Sequence, residues 1–185
     1  MTTPFHKVLV LLLLTSLPAV AEDSPEQACN KAAKLYADDD FAGALEEAKW
    51  CVTLLEQEQQ TRTNSVFPDS LQGFKGSDIQ HQSALGFSST VREYRKDEQH
   101  ISVTLSGGNG LNSAFAAIAQ FGGGGAKMRI QKRSASVIVN GERTQVLVTL
   151  KTGGLLMFEG DNVDKESVVE FAKAFPVEKL DDSLQ

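Results

Sequence analysis

The spacing of hydrophobic residues changes once along the chain, from a helical repeat before residue 60 to a two-residue alternation after it. The helical part contains two runs separated by three aspartates at 38–40, and apolar residues recur there every three or four positions. Ser24, Pro25 and Gln27 have the sequence of a capping box with proline in the first turn. The pattern predicts two antiparallel helices that join near Asp39. Their apolar stripes comprise Ala28, Cys29, Ala32, Ala33, Leu35 and Tyr36 in the first helix, and Phe41, Ala44, Leu45, Ala48, Cys51, Val52 and Leu55 in the second.

Alternating hydrophobic and polar residues predict a series of β-strands in the rest of the chain. The segments are 83–96, 99–106, 127–133, 135–139, 145–151 and 155–159. Asn140 and Gly141 form a strong hairpin signal, and residues 152–154 predict a second turn. Asp164 is a suitable N-cap for a closing helix that buries Val168, Val169, Phe171, Ala172 and Phe175. The expected fold class is α+β, in which an N-terminal helical hairpin precedes an antiparallel sheet covered by helices.

Two glycine-rich stretches, 107–110 and 122–125, frame a short apolar segment with helical character at 111–121. Ordering a glycine costs more backbone entropy than ordering other residues, so the two stretches suggest hinges. The segment is then either a lid packed on the sheet or a functional surface that gates an apolar cleft or faces a partner. Its candidate contact residues are Leu111, Phe115, Ile118 and Phe121. The pattern does not match a dinucleotide fingerprint, because Ser113 stands where the third glycine belongs.

The first 21 residues have the pattern of a cleaved secretory signal peptide. Lys7 precedes an apolar run at 8–14, Pro18 interrupts the segment, and residues 19–21 read Ala-Val-Ala. The run is too short to span a membrane, which takes about 20 apolar residues. We expect a mature protein that begins near Glu22 and lies outside the cytosol, in a bacterial periplasm. The expected organisation is a hairpin at 22–60, a linker at 61–66, a sheet domain at 67–180 and a flexible tail at 181–185.

The two cysteines of the chain, Cys29 and Cys51, fall at the same height on the two predicted helices. An oxidising compartment favours disulfides, so we expect a Cys29–Cys51 bond. The alternatives are a metal pair or a redox couple, and neither the CxxC spacing nor neighbouring ligands accompany the cysteines.

Charge is distributed unevenly over the chain, whose formal net charge is −6. Ten acidic and three basic residues lie between 22 and 61, whereas nine basic and five acidic residues lie between 87 and 160. An acidic chain is disfavoured as a general binder of nucleic acid. Arg92, Lys132 and Arg143 are candidates for one cationic sheet face. Such a face either meets the acidic hairpin within the chain or binds an anionic partner surface.

The residue pattern offers no catalytic constellation. His81 and His100 stand in polar surroundings without a repeated His or Cys spacing, so neither a zinc nor a copper site is expected. No serine occupies a Gly-x-Ser-x-Gly elbow, and the expected disulfide removes both thiols as nucleophiles. We therefore expect no enzyme activity, no metal and no cofactor.

The hairpin resembles one tetratricopeptide unit. The resemblance rests on Ala-Lys-Leu-Tyr at 33–36, on Asp-Phe-Ala-Gly-Ala at 40–44 and on Ala48. Solenoids need about three stacked repeats to bury a continuous core. A single unit implies a helical hairpin that docks on something else, and not a peptide-binding array.

The second part is similar to the Mog1/PsbP-like sandwiches of secreted and lumenal accessory proteins. This similarity rests on the order of the elements and on Pro68, Gly73 and Phe74. It implies a non-catalytic accessory role and carries no site residues. The expected function is that of a secreted, non-enzymatic interaction or binding protein of the bacterial envelope, with an envelope protein as partner. The alternative is a carrier of a small apolar ligand that segment 111–121 gates.

Overall fold

A computed structural model describes residues 24–84, 87–107 and 125–185. The chain divides into two compact units, of which the first ends at Leu54 and the second begins at Leu55. Helix α1 is Pro25–Ala37 and helix α2 is Phe41–Asn64, so α2 contributes residues to both units. Within the described ranges, no helix is both long enough and apolar enough to cross a membrane.

The first unit is the predicted helical hairpin, and its local signals are confirmed. The Ser24 hydroxyl accepts a hydrogen bond from the Gln27 backbone N–H at 3.2 Å, which completes the capping box. Asp39 has a φ of 61° in the turn, and the Asp40 carboxylate accepts a bond from the Gly43 N–H at 3.0 Å. The predicted disulfide between Cys29 and Cys51 is present, with 5.0 Å between the two Cα atoms.

Both ends of the second unit differ from the predicted boundaries. Helix α2 does not stop at residue 60 but continues through most of the predicted linker to Asn64. Polarity alone does not end a helix, because glutamate and glutamine are good helix formers, and here Glu58 and Arg62 form an ion pair one turn apart. The predicted flexible tail at 181–185 begins inside a helix, Val177–Ser183, and its first residue, Asp181, is fully buried.

The sheet of the second unit is antiparallel and contains nine strands in the described residues. The strands are β1 Ser70–Leu71, β2 Phe74–Gly76, β3 Gln80–Ala84, β4 Phe87–Lys96, β5 Gln99–Gly107, β6 Ala126–Ile130, β7 Arg133–Asn140, β8 Arg143–Thr149 and β9 Leu155–Asp161. Their order is β1-β2-β4-β5-β9-β8-β7-β6, with β3 paired beside β2 on β4. The predicted hairpin at Asn140 and Gly141 is confirmed. Asn140 pairs with Arg143 across a two-residue loop, and Gly141 has the positive φ of 62° that such a turn requires.

One face of this sheet, which we call the inner face, carries the hydrophobic core. Cross-strand neighbours such as Tyr94, Ile101, Val103 and Phe158 alternate with partly exposed residues, as a half-covered sheet requires. Helix α3, Lys165–Ala174, packs against β8 and β9, and Asp164 caps it as predicted. Helix α4, Val177–Ser183, adds Val177 and Leu180 to the same core. Edge-to-face ring contacts tie helix to sheet, with 5.1 Å between the ring centres of Tyr94 and Phe171.

Candidate functional site

Large apolar side chains are exposed along one side of α2 within the first unit. We call Phe41, Leu45, Ala48 and Val52 the α2 seam. Their spacing of four, three and four residues places them in a single row along the helix. The exposed fractions are 62% for Phe41, 58% for Leu45 and 52% for Val52, and the row ends beside Tyr36 of α1, which is 65% exposed. The rings of Tyr36 and Phe41 meet edge to face with 5.7 Å between their centres.

The hairpin itself explains why this row stays uncovered. Ala28 of α1 and Ala44 of α2 are small and buried. The disulfide holds the two helices along that same side of α2. A single partner helix covers about a third of a helix circumference, so the wider apolar stripe of α2 leaves its other flank in solvent. Contiguous exposed apolar rows of this kind mark interaction sites in soluble proteins.

Three aspartates lie at one end of the α2 seam, and a lysine lies beside its middle. Residues 24–54 contain six acidic and three basic residues. Asp38, Asp39 and Asp40 stand at the end of the row beside Phe41, whereas the exposed Lys49 lies one turn from both Leu45 and Val52. Of the lysines, Lys31 pairs with Glu47 across the hairpin. The first unit therefore presents an apolar row with a cluster of negative charge at one end.

The three cations predicted to share a sheet face lie in three different settings. Arg92 points to the inner face, where its guanidinium donates to the carbonyl oxygens of Phe67 and Ser77, each at 2.8 Å, and pairs with Asp69. Arg143 lies on the opposite face, near Glu159 and Asp161.

Lys132 lies in the turn between β6 and β7 and pairs with Glu178 at 3.4 Å. Each of the three cations therefore meets a carboxylate of the second unit, and they do not form one patch.

A polar groove lies at one corner of the second unit. It has a volume of about 550 Å³ and lies between the last turns of α2 and the ends of β3, β4 and β5. We call it the corner groove. Its walls are Glu56, Gln59, Gln60 and Thr63 of α2, residues 81–82, 88–90 and 105–107 of the strands, the turn 152–154, and Leu184.

A chain of hydrogen bonds runs along the wall of the corner groove. The Asn64 amide nitrogen lies 3.1 Å from His81 Nε2, and His81 Nδ1 lies 3.1 Å from the Thr90 hydroxyl. In this amide orientation Nε2 accepts, so a neutral His81 carries its proton on Nδ1 and donates it to Thr90. The Thr90 hydroxyl hydrogen is then free for another acceptor. The Asn64 carbonyl oxygen is buried and has no partner among the described groups.

A serine, a glutamate and a histidine meet on the outer face of the sheet, but in an order that does not activate the serine. Ser102 donates to Glu93 at 3.1 Å, and the other oxygen of Glu93 contacts His100 Nε2. A Ser-His-Asp arrangement needs the imidazole between the hydroxyl and the carboxylate, whereas here the carboxylate is in the middle. In the described ranges, no three His, Cys, Asp or Glu side chains are placed to hold a metal ion.

The predicted contact residues Leu111, Phe115, Ile118 and Phe121 lie outside the described residues. Two features of the described part were missed by sequence reasoning. The corner groove depends on His81 and Thr90, which only strand pairing brings together. The apolar stripe of α2 has a covered side and an exposed side, and the division depends on where α1 packs. No local sequence signal shows the position of α1 on α2. No family model, no curated protein and no solved structure matches this chain.

Proposed function

We propose that this protein is a non-enzymatic interaction protein of the bacterial envelope, and that its α2 seam binds an amphipathic helix of a partner protein. The observation that carries the proposal is the exposure of Phe41, Leu45 and Val52 in one helical row. A row with this spacing matches the apolar side of a second helix laid alongside it. The disulfide supports the proposal, because it holds the hairpin rigid before binding and so lowers the entropy lost on association.

The chemistry of the partner follows from the charge around the seam. The aspartates at 38–40 favour lysine or arginine where the bound helix lies beside Phe41, and they disfavour an acidic residue there. A second copy of this acidic hairpin is therefore a poor occupant. The signal-like pattern at 1–21 and the disulfide both support a place outside the cytosol, where such a bond persists.

The test is the binding of a fluorescent helical peptide that has a four-three leucine repeat and lysine flanks. Titration of the peptide with the 22–185 chain is expected to raise its fluorescence anisotropy to saturation. The affinity is expected to fall as the salt concentration increases. The variant Val52→Lys is expected to weaken binding about tenfold or more, because it removes an apolar contact and repels the basic flanks.

Val139→Lys is the matched control. Val139 is a valine of the second unit with 51% exposure, nearly that of Val52. It is expected to leave the affinity unchanged. A glutamate-flanked version of the peptide is expected to bind at least tenfold more weakly. Equal affinity of the Val52→Lys and Val139→Lys variants for the basic peptide would contradict the proposal.

A further inference from the structure

The corner groove differs chemically from the rest of the inner face. Away from the corner, the inward positions of β4 and β5 include Tyr94, Ile101 and Val103, which are fully buried, and Arg92, which is buried and paired with Asp69. At the corner the inward positions of β3 and β4 are His81, Ser88 and Thr90. His81 and Ser88 are exposed and Thr90 is half-buried, so at this corner the inner face is polar and open to solvent. Its side chains can therefore meet polar groups from outside the chain.

Two polar side chains of α2 that line the corner groove are uncommitted. In the part of the chain that the structure describes, Gln59 and Gln60 make no side-chain hydrogen bond. Together with Thr90, whose hydroxyl hydrogen is free, they present both donors and acceptors to the groove. A ligand that fits must supply several hydrogen-bonding groups of both kinds over a short distance.

The charge and polarity of the lining narrow the ligand class. Among the described lining residues there is no lysine or arginine, and Glu56 is an acid, so an anionic ligand would be repelled. Leu105 and Leu184 are the apolar side chains of that lining, which is too little apolar surface for a lipid-like ligand. A volume of about 550 Å³ lies in the range of small-molecule sites.

We propose that the corner groove binds a neutral, hydroxyl-rich ligand, one or two sugar rings of a glycan. Each sugar hydroxyl both donates and accepts, as do the amides of Gln59 and Gln60 and the hydroxyl of Thr90. The site lies entirely in the second unit and is independent of the α2 seam, so either proposal can fail without the other.

The test is a titration of the ¹⁵N-labelled 22–185 chain with maltose and with N,N′-diacetylchitobiose at millimolar concentrations, followed by amide chemical shifts. At least one sugar is expected to give saturable shifts confined to β3, β4, the last turns of α2 and the turn at 152–154. Gln60→Ala and Thr90→Val are each expected to weaken that binding about tenfold, since each removes a group that bonds the sugar.

Two matched variants serve as controls. Gln57→Ala removes a glutamine of α2 that does not line the groove. Thr104→Val makes the same threonine-to-valine substitution on the opposite face of the sheet. Both are expected to bind as the unmodified chain does. The proposal is overturned if neither sugar shifts the groove amides, or if Gln60→Ala and Thr90→Val bind as well as their controls. A disaccharide that contains glucuronate and binds as tightly as the neutral sugars would overturn the neutral class.

Discussion

Replacing Asp181 with alanine is expected to lower the free energy of unfolding by about 3–5 kcal/mol, because it leaves a buried arginine without its counter-charge. Asp181 is fully buried and pairs with Arg133, which is itself buried. Its carboxylate also accepts hydrogen bonds from the backbone N–H groups of Lys151 and Thr152, at 3.0 Å and 3.3 Å, and from the Thr152 hydroxyl. One carboxylate therefore joins α4 to the start of β7 and to the β8–β9 turn. Urea unfolding of the variant and the unmodified chain measures the loss.

The neighbouring Asp182 supplies the control for this prediction. Its side chain is exposed and lies 4.0 Å from Arg133, so Asp182→Ala is expected to cost less than about 1 kcal/mol. Equal unfolding free energies for the Asp181 and Asp182 variants would show that the buried pair does not stabilise the fold.

Lowering the pH is expected to weaken the stabilisation that the Asp181 carboxylate provides. Burial raises the pKa of Asp181, but the hydrogen bonds from Lys151, Arg133 and Thr152 outweigh it and hold the pKa below its usual value. The stabilisation from this carboxylate is thus complete above the unfolded pKa of about 3.9 and is lost as the pH falls through the lower folded pKa. The difference in unfolding free energy between the unmodified chain and Asp181→Asn is expected to shrink over that range.

The double variant Cys29→Ser, Cys51→Ser is expected to destabilise the hairpin by about 3 kcal/mol, the chain-entropy value for a loop of this length. The two cysteines are separated by 22 positions, and few large side chains support the hairpin interior besides the disulfide. A helix as short as α1, which has 13 residues, is marginal without tertiary support. The backbone amides at 25–54 are expected to lose their protection from hydrogen exchange, while the amides in the strands of the second unit keep theirs.

A reducing agent gives the matched control for the cysteine prediction. It is expected to produce the same loss of protection in the unmodified chain and no further loss in the double variant. Full protection of the hairpin after reduction would contradict the stabilising role of the bond.

The features that could be predicted from the sequence are those that short segments determine. The capping box at Ser24, the turn at Gly141 and the cap at Asp164 each depend on residues within three or four positions. The disulfide could also be predicted, because two antiparallel helices of known length fix which cysteines face each other.

Long-range pairing determined the features that the sequence did not reveal. Arg133 and Asp181 are 48 positions apart. Nothing in the acidic segment around Asp181 indicates that its carboxylate pairs with an arginine of a distant strand. From the sequence alone, Arg92 is expected to be a solvated cation. In the fold its guanidinium binds the Phe67 carbonyl oxygen and the Asp69 carboxylate. The same holds for the two candidate sites. The α2 seam is exposed because α1 covers the other flank, and the corner groove exists because α2 continues past residue 60.

The most direct test of the proposed function is photocrosslinking in the cells that make the protein. A benzophenone amino acid at Leu45 is expected to crosslink to a partner within a helix that has a four-three apolar repeat and basic flanks, as mapped by mass spectrometry. The same group at Val139 serves as the control and is expected not to give that product. The proposed function is contradicted if Leu45 and Val139 give the same products, or if the partner residue crosslinked to position 45 lies outside such a helix.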